Sequence, residues 1–215
     1  MEYLTGYMKT CGHVVLEKAE VKGIPAAFAV CGDLSGPEPG EFAIPVTGAL
    51  KGRLALFFSQ DFVSGVSEYG EDYLQAAVFG ASFLPAGETP LLGPGAGFGT
   101  GCAGILAAGS SAYIYVTEGS GMCIVRSAEV FGKRKLIRCL SPEEGGEDVV
   151  ELAPGQLLMA CPEEWTKGAE SGKALSDMAE LFDPDDIRDD DAFDRRMNEL
   201  AGEGFAGCAA ALLAK

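Results

Sequence analysis

The chain has 215 residues, with 32 Asp and Glu against 16 Lys and Arg, for a formal charge of −16 at pH 7. That length suits one compact domain with a real core, and residues 1–215 are expected to form a single domain. The charge argues against nucleic acid, whose binding is driven by Lys and Arg neutralising phosphates, and against an anionic membrane surface. Acidity confers solubility and only a weak preference for a basic partner.

The 30 Gly and 11 Pro lean toward many short strands. Seven cysteines occur, Cys11, Cys31, Cys102, Cys123, Cys139, Cys161 and Cys208, with no C-x-x-C pair and no zinc-type spacing. Several lie in apolar runs, where a free thiol packs as a small hydrophobe. They read as reduced, which points to a cytoplasmic protein. Met1–Gly12 lacks the basic start and apolar stretch of a signal peptide, and no apolar run approaches the roughly 20 residues that span a bilayer.

In chain order, the first 35 residues read as strands, with His13–Glu17 and Ile24–Cys31 as short apolar runs closed by a Gly/Pro loop over Gly32–Gly40. Helical spacing follows at Ala49, Leu50, Arg53, Leu54 and Phe57 and again over Tyr69–Phe79. Ser82–Gly101 is a Gly/Pro-rich loop. A block of strands comes next: Cys102–Ala108 and Ala112–Thr117 as a hairpin, then Met122–Arg126, Lys135–Leu140, Val149–Leu152 and Gln156–Cys161. Leu175–Phe182 and Ala192–Leu200 are amphipathic helices, and Cys208–Ala214 is a closing apolar strand. Strands, helices, strands, helices and a last strand, without regular β-α alternation, suit a layered α+β sandwich over a Rossmann sheet.

Three local signals tempt a functional reading. Gly99–Gly104 matches G-x-G-x-x-G, but a loop precedes it and a strand follows, so no helix N-terminus is there to meet a phosphate. The acids at Asp183, Asp185, Asp186, Asp189, Asp190, Asp191 and Asp194 fail the EF-hand pattern, with Ile187 and Arg188 at its fifth and sixth positions. They suit the positive dipole end of the 192–200 helix instead. His13 is the only histidine and reads as a packed or surface residue; Trp165 reads as a core anchor.

Four stretches, spread in order over nearly the whole chain, resemble the metal-dependent (PPM, type 2C-like) Ser/Thr protein phosphatases, including their stage II sporulation E-like branch. Phe28–Glu41 (FAVCGDLSGPEPGE) is similar to the family's F-x-V-x-D-G-M-G-G-H-x-x-G-E. Thr100–Arg126 resembles its strand–turn–strand block with a G-D-S-R turn. Val149–Cys161 (VVELAPGQLLMAC) is similar to L-x-P-G-D-x-L-L-L-x-S-D-G, and Asp191–Leu213 resembles its last helix and strand, joined through D-N-x-T. The resemblance implies a four-layer αββα sandwich, two stacked and mainly antiparallel sheets with helices outside.

The chemical half of each motif departs from the family. Its metal-binding Asp positions fall on Gly32, Ser120 and Pro162, and its D-N pair falls on Gly207-Cys208. The family's early Arg and N-x-D fall around Gly6–Val14, where Lys9 is the only strong base and no Asp occurs. Hard cations such as Mg²⁺ and Mn²⁺ need carboxylate oxygens, and a two-metal site uses them to polarise the phosphoryl group and generate hydroxide. Gly, Ser and Pro do neither. The resemblance therefore implies a catalytically inactive pseudophosphatase that acts in signalling by binding a protein partner. No catalytic residue and no cofactor are expected, and the cleft floor should be neutral, lined by Gly32, Ser120, Pro162 and Gly207.

Asp33 and Glu163 sit one residue from family Asp positions. A one-residue shift turns a strand side chain to the opposite face, which makes both solvated loop acids; a bend at a strand end would instead let them hold a single Mg or Mn ion. The alternatives are a divergent active metal-dependent phosphatase, which needs at least two carboxylates converging near Asp33, and an unrelated α+β binding domain.

Overall fold

The computed structural model describes residues 1–21, 24–33, 101–116, 119–140, 146–167 and 178–215. The helices expected over 49–57 and 69–79 and the loop over 82–100 lie outside the described residues.

Among the described residues, ten strands form two five-stranded sheets in which every pairing is antiparallel. The first sheet runs β1 (Tyr3–Lys9), β10 (Cys208–Ala214), β9 (Leu157–Pro162), β6 (Met122–Val130), β7 (Lys133–Leu140). The second runs β2 (His13–Val21), β3 (Ile24–Asp33), β4 (Gly101–Ala108), β5 (Ser111–Val116), β8 (Gly146–Glu151). The strand block predicted from the sequence is thus present. Strand β1 falls within the opening residues read as strands, and β6 and β7 extend to a tight hairpin whose two central residues, Phe131 and Gly132, have φ of 54° and 71°, the positive values a two-residue hairpin turn requires.

The sheets stack through one shared core. Ala27, Ala29 and Cys31 of β3 and Ile105 and Ile114 of β4 and β5 meet Ile124, Leu158, Ala160, Ala210 and Leu212 of the first sheet. Alternate residues of that sheet, among them Cys123, Met159, Cys161, Ala209, Ala211 and Leu213, face a second core against Phe182, Phe193, Met197 and Leu200. This is why β9 and β10 read as unbroken apolar runs: both faces are covered, and every residue of each is buried. On the far side of the second sheet Phe28 and Val30 are buried too.

Helix α1 spans Asp190–Gly202 and packs on β1 and β10 with Phe193, Met197 and Leu200 inward, the apolar stripe read from the sequence. Asp189 caps it, accepting from the Ala192 amide at 2.7 Å, and Asp190 and Asp191 fill its first turn, as expected of acids at a dipole's positive end. Two of the acids have a further task. Asp190 accepts from the Thr5 amide at 2.7 Å and Asp194 from the Tyr7 amide at 2.9 Å, so the free edge of β1 is closed by carboxylates. Gly6 makes the approach possible: a Cβ there would lie 2.8 Å from the Phe193 ring. Lys18 of β2 reaches across to Asp190 at 2.5 Å and ties the second sheet to the same helix start. Residues 178–181 are also helical.

Candidate functional site

The four positions where the resemblance led us to expect acids come together at one end of the sandwich. His13 stands opposite Gly32 in the β2–β3 register, and the amides of both donate toward the Cys208 thiol. The Gly207 carbonyl accepts from the amides of Thr10 (2.8 Å) and Cys11 (3.3 Å), while the Gly207 amide donates to Thr10 Oγ1 at 2.8 Å. Pro162 abuts Gly207 so closely that a Cβ on Gly207, whose φ is 113°, would lie 2.8 Å from Pro162 Cγ. Pro162 pairs with Met122, and the Met122 amide donates back to Ser120 Oγ at 3.1 Å. Backbone, a proline ring and a hydroxyl engaged with its own turn therefore make up this rim.

The two displaced acids fare differently. Asp33 ends β3 opposite Gly101, and its side chain lies outside the described residues. Glu163 is no solvated loop acid, which corrects the sequence expectation. It opens a 3₁₀ turn over Glu163–Thr166, its amide donates to the Gly121 carbonyl at 2.8 Å, and its side chain is only 5% exposed. One carboxylate oxygen meets Arg138 at 3.3 Å and the other Lys167 at 2.6 Å. The pleat argument failed here because the chain leaves the strand at Pro162 and turns inward. Lys167 was legible as the i+4 neighbour of Glu163, whereas Arg138 arrives from β7 through sheet pairing alone.

Thiols fill the space behind the rim. Cys31 and Cys208 face each other in the inter-sheet core, and Cys123 and Cys161 are direct cross-strand partners with sulfurs 3.7 Å apart. Burial pushes the Cys31 thiol well above its ordinary range, while the neighbouring Cys31 thiol and the amides of Gly32 and His13 draw Cys208 down. The bond from Cys161, then one from Thr166, likewise draws Cys123 down, and Cys161 rises in return. Cys11, Cys31, Cys123, Cys139, Cys161 and Cys208 are free thiols, and the expectation of small apolar packing holds for the four buried ones. Trp165 is a core anchor as expected, buried against Phe205 and donating Nε1–H to the Ala206 carbonyl at 2.9 Å. His13 is half-buried in β2, and its Nδ1 has no partner among the described residues. Gly101–Gly104 lie within β4, so the G-x-G-x-x-G match opens no helix.

Among the described residues this donor set lacks the carboxylates that a pair of hard cations needs. Among the described residues no group of three or more His, Cys, Asp and Glu could hold a metal, and the one rim carboxylate whose contacts are described already has two cations. No helix among the described residues is long and apolar enough to cross a membrane.

No family model and no curated protein matches the sequence. Solved structures do match its fold. One is the serine/threonine phosphatase of S. agalactiae, 14% identical, with a TM-score of 0.57 over 99% of this chain and 100% of that one. Another comprises the RsbU and RsbW domains of a Mycobacterium tuberculosis protein, 10% identical, with a TM-score of 0.53 over 98% of this chain and 58% of that one. At such identities the likeness is one of fold. The chain thus has the phosphatase-like α+β architecture of two stacked antiparallel sheets, built around a rim whose described donors are not those of a metal centre.

Proposed function

We propose that this chain is a degenerate member of the metal-dependent phosphatase fold, of the stage II sporulation E-like branch and the full four-layer αββα form. In this reading it is a cytoplasmic pseudophosphatase that acts in signalling by holding a protein partner. The observation that carries the reading is the convergence of Gly32, Ser120, Pro162 and Gly207 on one rim without a carboxylate among them. The ion pairs of Glu163 support it further, since Arg138 and Lys167 already meet that carboxylate. A dication brought to this rim would have to displace one of them. A two-metal hydrolase needs the opposite, several uncompensated carboxylates around the ions.

The test is hydrolysis of p-nitrophenyl phosphate with added Mn²⁺, alongside calorimetric titration of the metal. The expected rate equals that of a protein-free control, with no tight Mn²⁺ binding and no change on Asp33→Asn. Metal-dependent turnover that disappears in Asp33→Asn would overturn the reading in favour of a divergent active phosphatase.

A further inference from the structure

In this acidic chain the β6–β7 hairpin is an exception. Residues 122–140 contain Arg126, Lys133, Arg134, Lys135 and Arg138 against Glu129 alone, a local net of +4 within a total of −16. Among the described strands, β7 is the outer one of its sheet. The register puts Lys133 and Lys135 on the same face as Arg126, and Arg134 and Arg138 on the other. Arg138 is engaged with Glu163 and the Thr166 carbonyl, and Arg134 donates one bond to the Phe182 carbonyl at 3.0 Å. Lys133 and Lys135 are exposed. At the tip stands Phe131, 100% exposed and in the left-handed backbone region. Beside the hairpin a cavity of about 490 Å³ is lined by Ser127, Glu129, Gly132, Arg134, Pro154 and Gln156.

Lysines on an outer strand can simply deter edge-to-edge pairing. That accounts for Lys133 and Lys135 but not for Phe131. A surface built only to repel neighbours has no use for a bare aromatic ring, least of all at a φ that L side chains disfavour. Aromatic and arginine side chains together are instead the composition of interface anchors.

We propose that the β6–β7 hairpin docks an acidic, extended segment of a partner protein. The partner receives Phe131, and its carboxylates lie along Lys133 and Lys135. A short segment touches only the hairpin, and with a Debye length of about 8 Å at physiological ionic strength it is largely screened from the acidic remainder. An anionic bilayer presents a broad sheet of negative charge to the whole acidic side, which makes lipid the weaker occupant. The tip lies at the far end of β6 from Met122 and Pro162, roughly 27 Å away along the strand. Docking there is independent of whether the rim hydrolyses anything.

The test measures fluorescence anisotropy of a labelled peptide that alternates Glu with Thr around a central Leu pair, and of its Lys-for-Glu counterpart, against the full chain. The acidic peptide is expected to bind and the basic one not, with affinity falling as salt is raised. Lys133→Glu/Lys135→Glu should weaken binding by about tenfold or more. Phe131→Gly, which suits the turn and keeps the fold, should weaken it several-fold. Equal binding of both peptides, or unchanged affinity after charge reversal, overturns the proposal. Binding to phosphatidylserine vesicles that is lost in Phe131→Gly, without peptide binding, assigns the tip to lipid and overturns it as well.

Discussion

At one edge of the first sheet the amides of Thr5 and Tyr7 end on the carboxylates of Asp190 and Asp194, and helix α1 covers the strand. At the other edge β7 presents Lys133, Lys135 and a bare Phe131 to solvent. Both strands face the same physical problem, since an outer strand carries a row of backbone donors and acceptors with no ladder partner. The β1 edge is closed from within the chain, by acids at i and i+4 on a helix that approaches because Gly6 has no side chain. The β7 edge is left to charge. The two edges also differ in charge: Asp190 and Asp194 accept backbone bonds at β1, and Lys133 and Lys135 stand exposed at β7.

Four substitutions would break or sharpen this contrast. Phe193→Ala empties the contact by which α1 sits on β1 and meets Phe182 edge to face at 5.9 Å; a loss of about 3–5 kcal/mol in urea unfolding is expected, as for other large-to-small changes in a core. Asp190→Ala leaves the Thr5 amide without its partner and frees Lys18, for a cost of about 1–2 kcal/mol, and the Thr5 amide should exchange with deuterium markedly faster. If that amide stays protected, the edge is not closed by the helix acids.

Phe131→Gly should do the reverse at the other edge. It removes a ring that buries nothing and relieves a φ of 54°, so thermal unfolding should move up by the equivalent of about 1 kcal/mol. A lower melting temperature would show that Phe131 holds the hairpin together. The smallest effect concerns Asp194. Burial raises its pKa, opposed in part by the Tyr7 amide. A carboxyl whose folded pKa lies above its unfolded value holds its proton better in the native state, so its contribution is least favourable above the folded pKa and improves as pH falls through it. Asp194→Asn keeps an oxygen for the Tyr7 amide without the charge. It should match or exceed the parent by no more than about 0.5 kcal/mol at neutral pH, and the difference should vanish in acid. A gain that grows as pH falls would reverse the sign and refute the assignment.

The contrast also marks what could be read in advance. Strands β9 and β10 were legible as continuous apolar runs, and α1 by Phe193, Met197 and Leu200 at helical spacing with acids before them. β1 was legible only as part of a strand-like opening, because Tyr3–Lys9 mixes large, small and charged residues and its bounds depend on pairing with β10 some two hundred residues away. The β6–β7 turn escaped because Phe is not a turn residue, so Phe131-Gly132 carried only half a signal. At the rim, the sequence named Gly32, Ser120, Pro162 and Gly207, and the fold brought them together. Glu163 was misread, because local pleat logic cannot foresee a 3₁₀ turn that buries the side chain against Arg138.

The sequence by itself determined composition and periodicity: a strand-rich α+β chain, an acid-capped helix, and apolar runs at strand spacing. These are local properties, written in the spacing of neighbours. Tertiary structure alone decided which charges meet. Asp190 and Asp194 found the amides of β1, Glu163 found Arg138, and Lys133 and Lys135 of β7 were left in solvent. Electrostatic partners are fixed by distances through space, and only sheet register and helix docking set those distances.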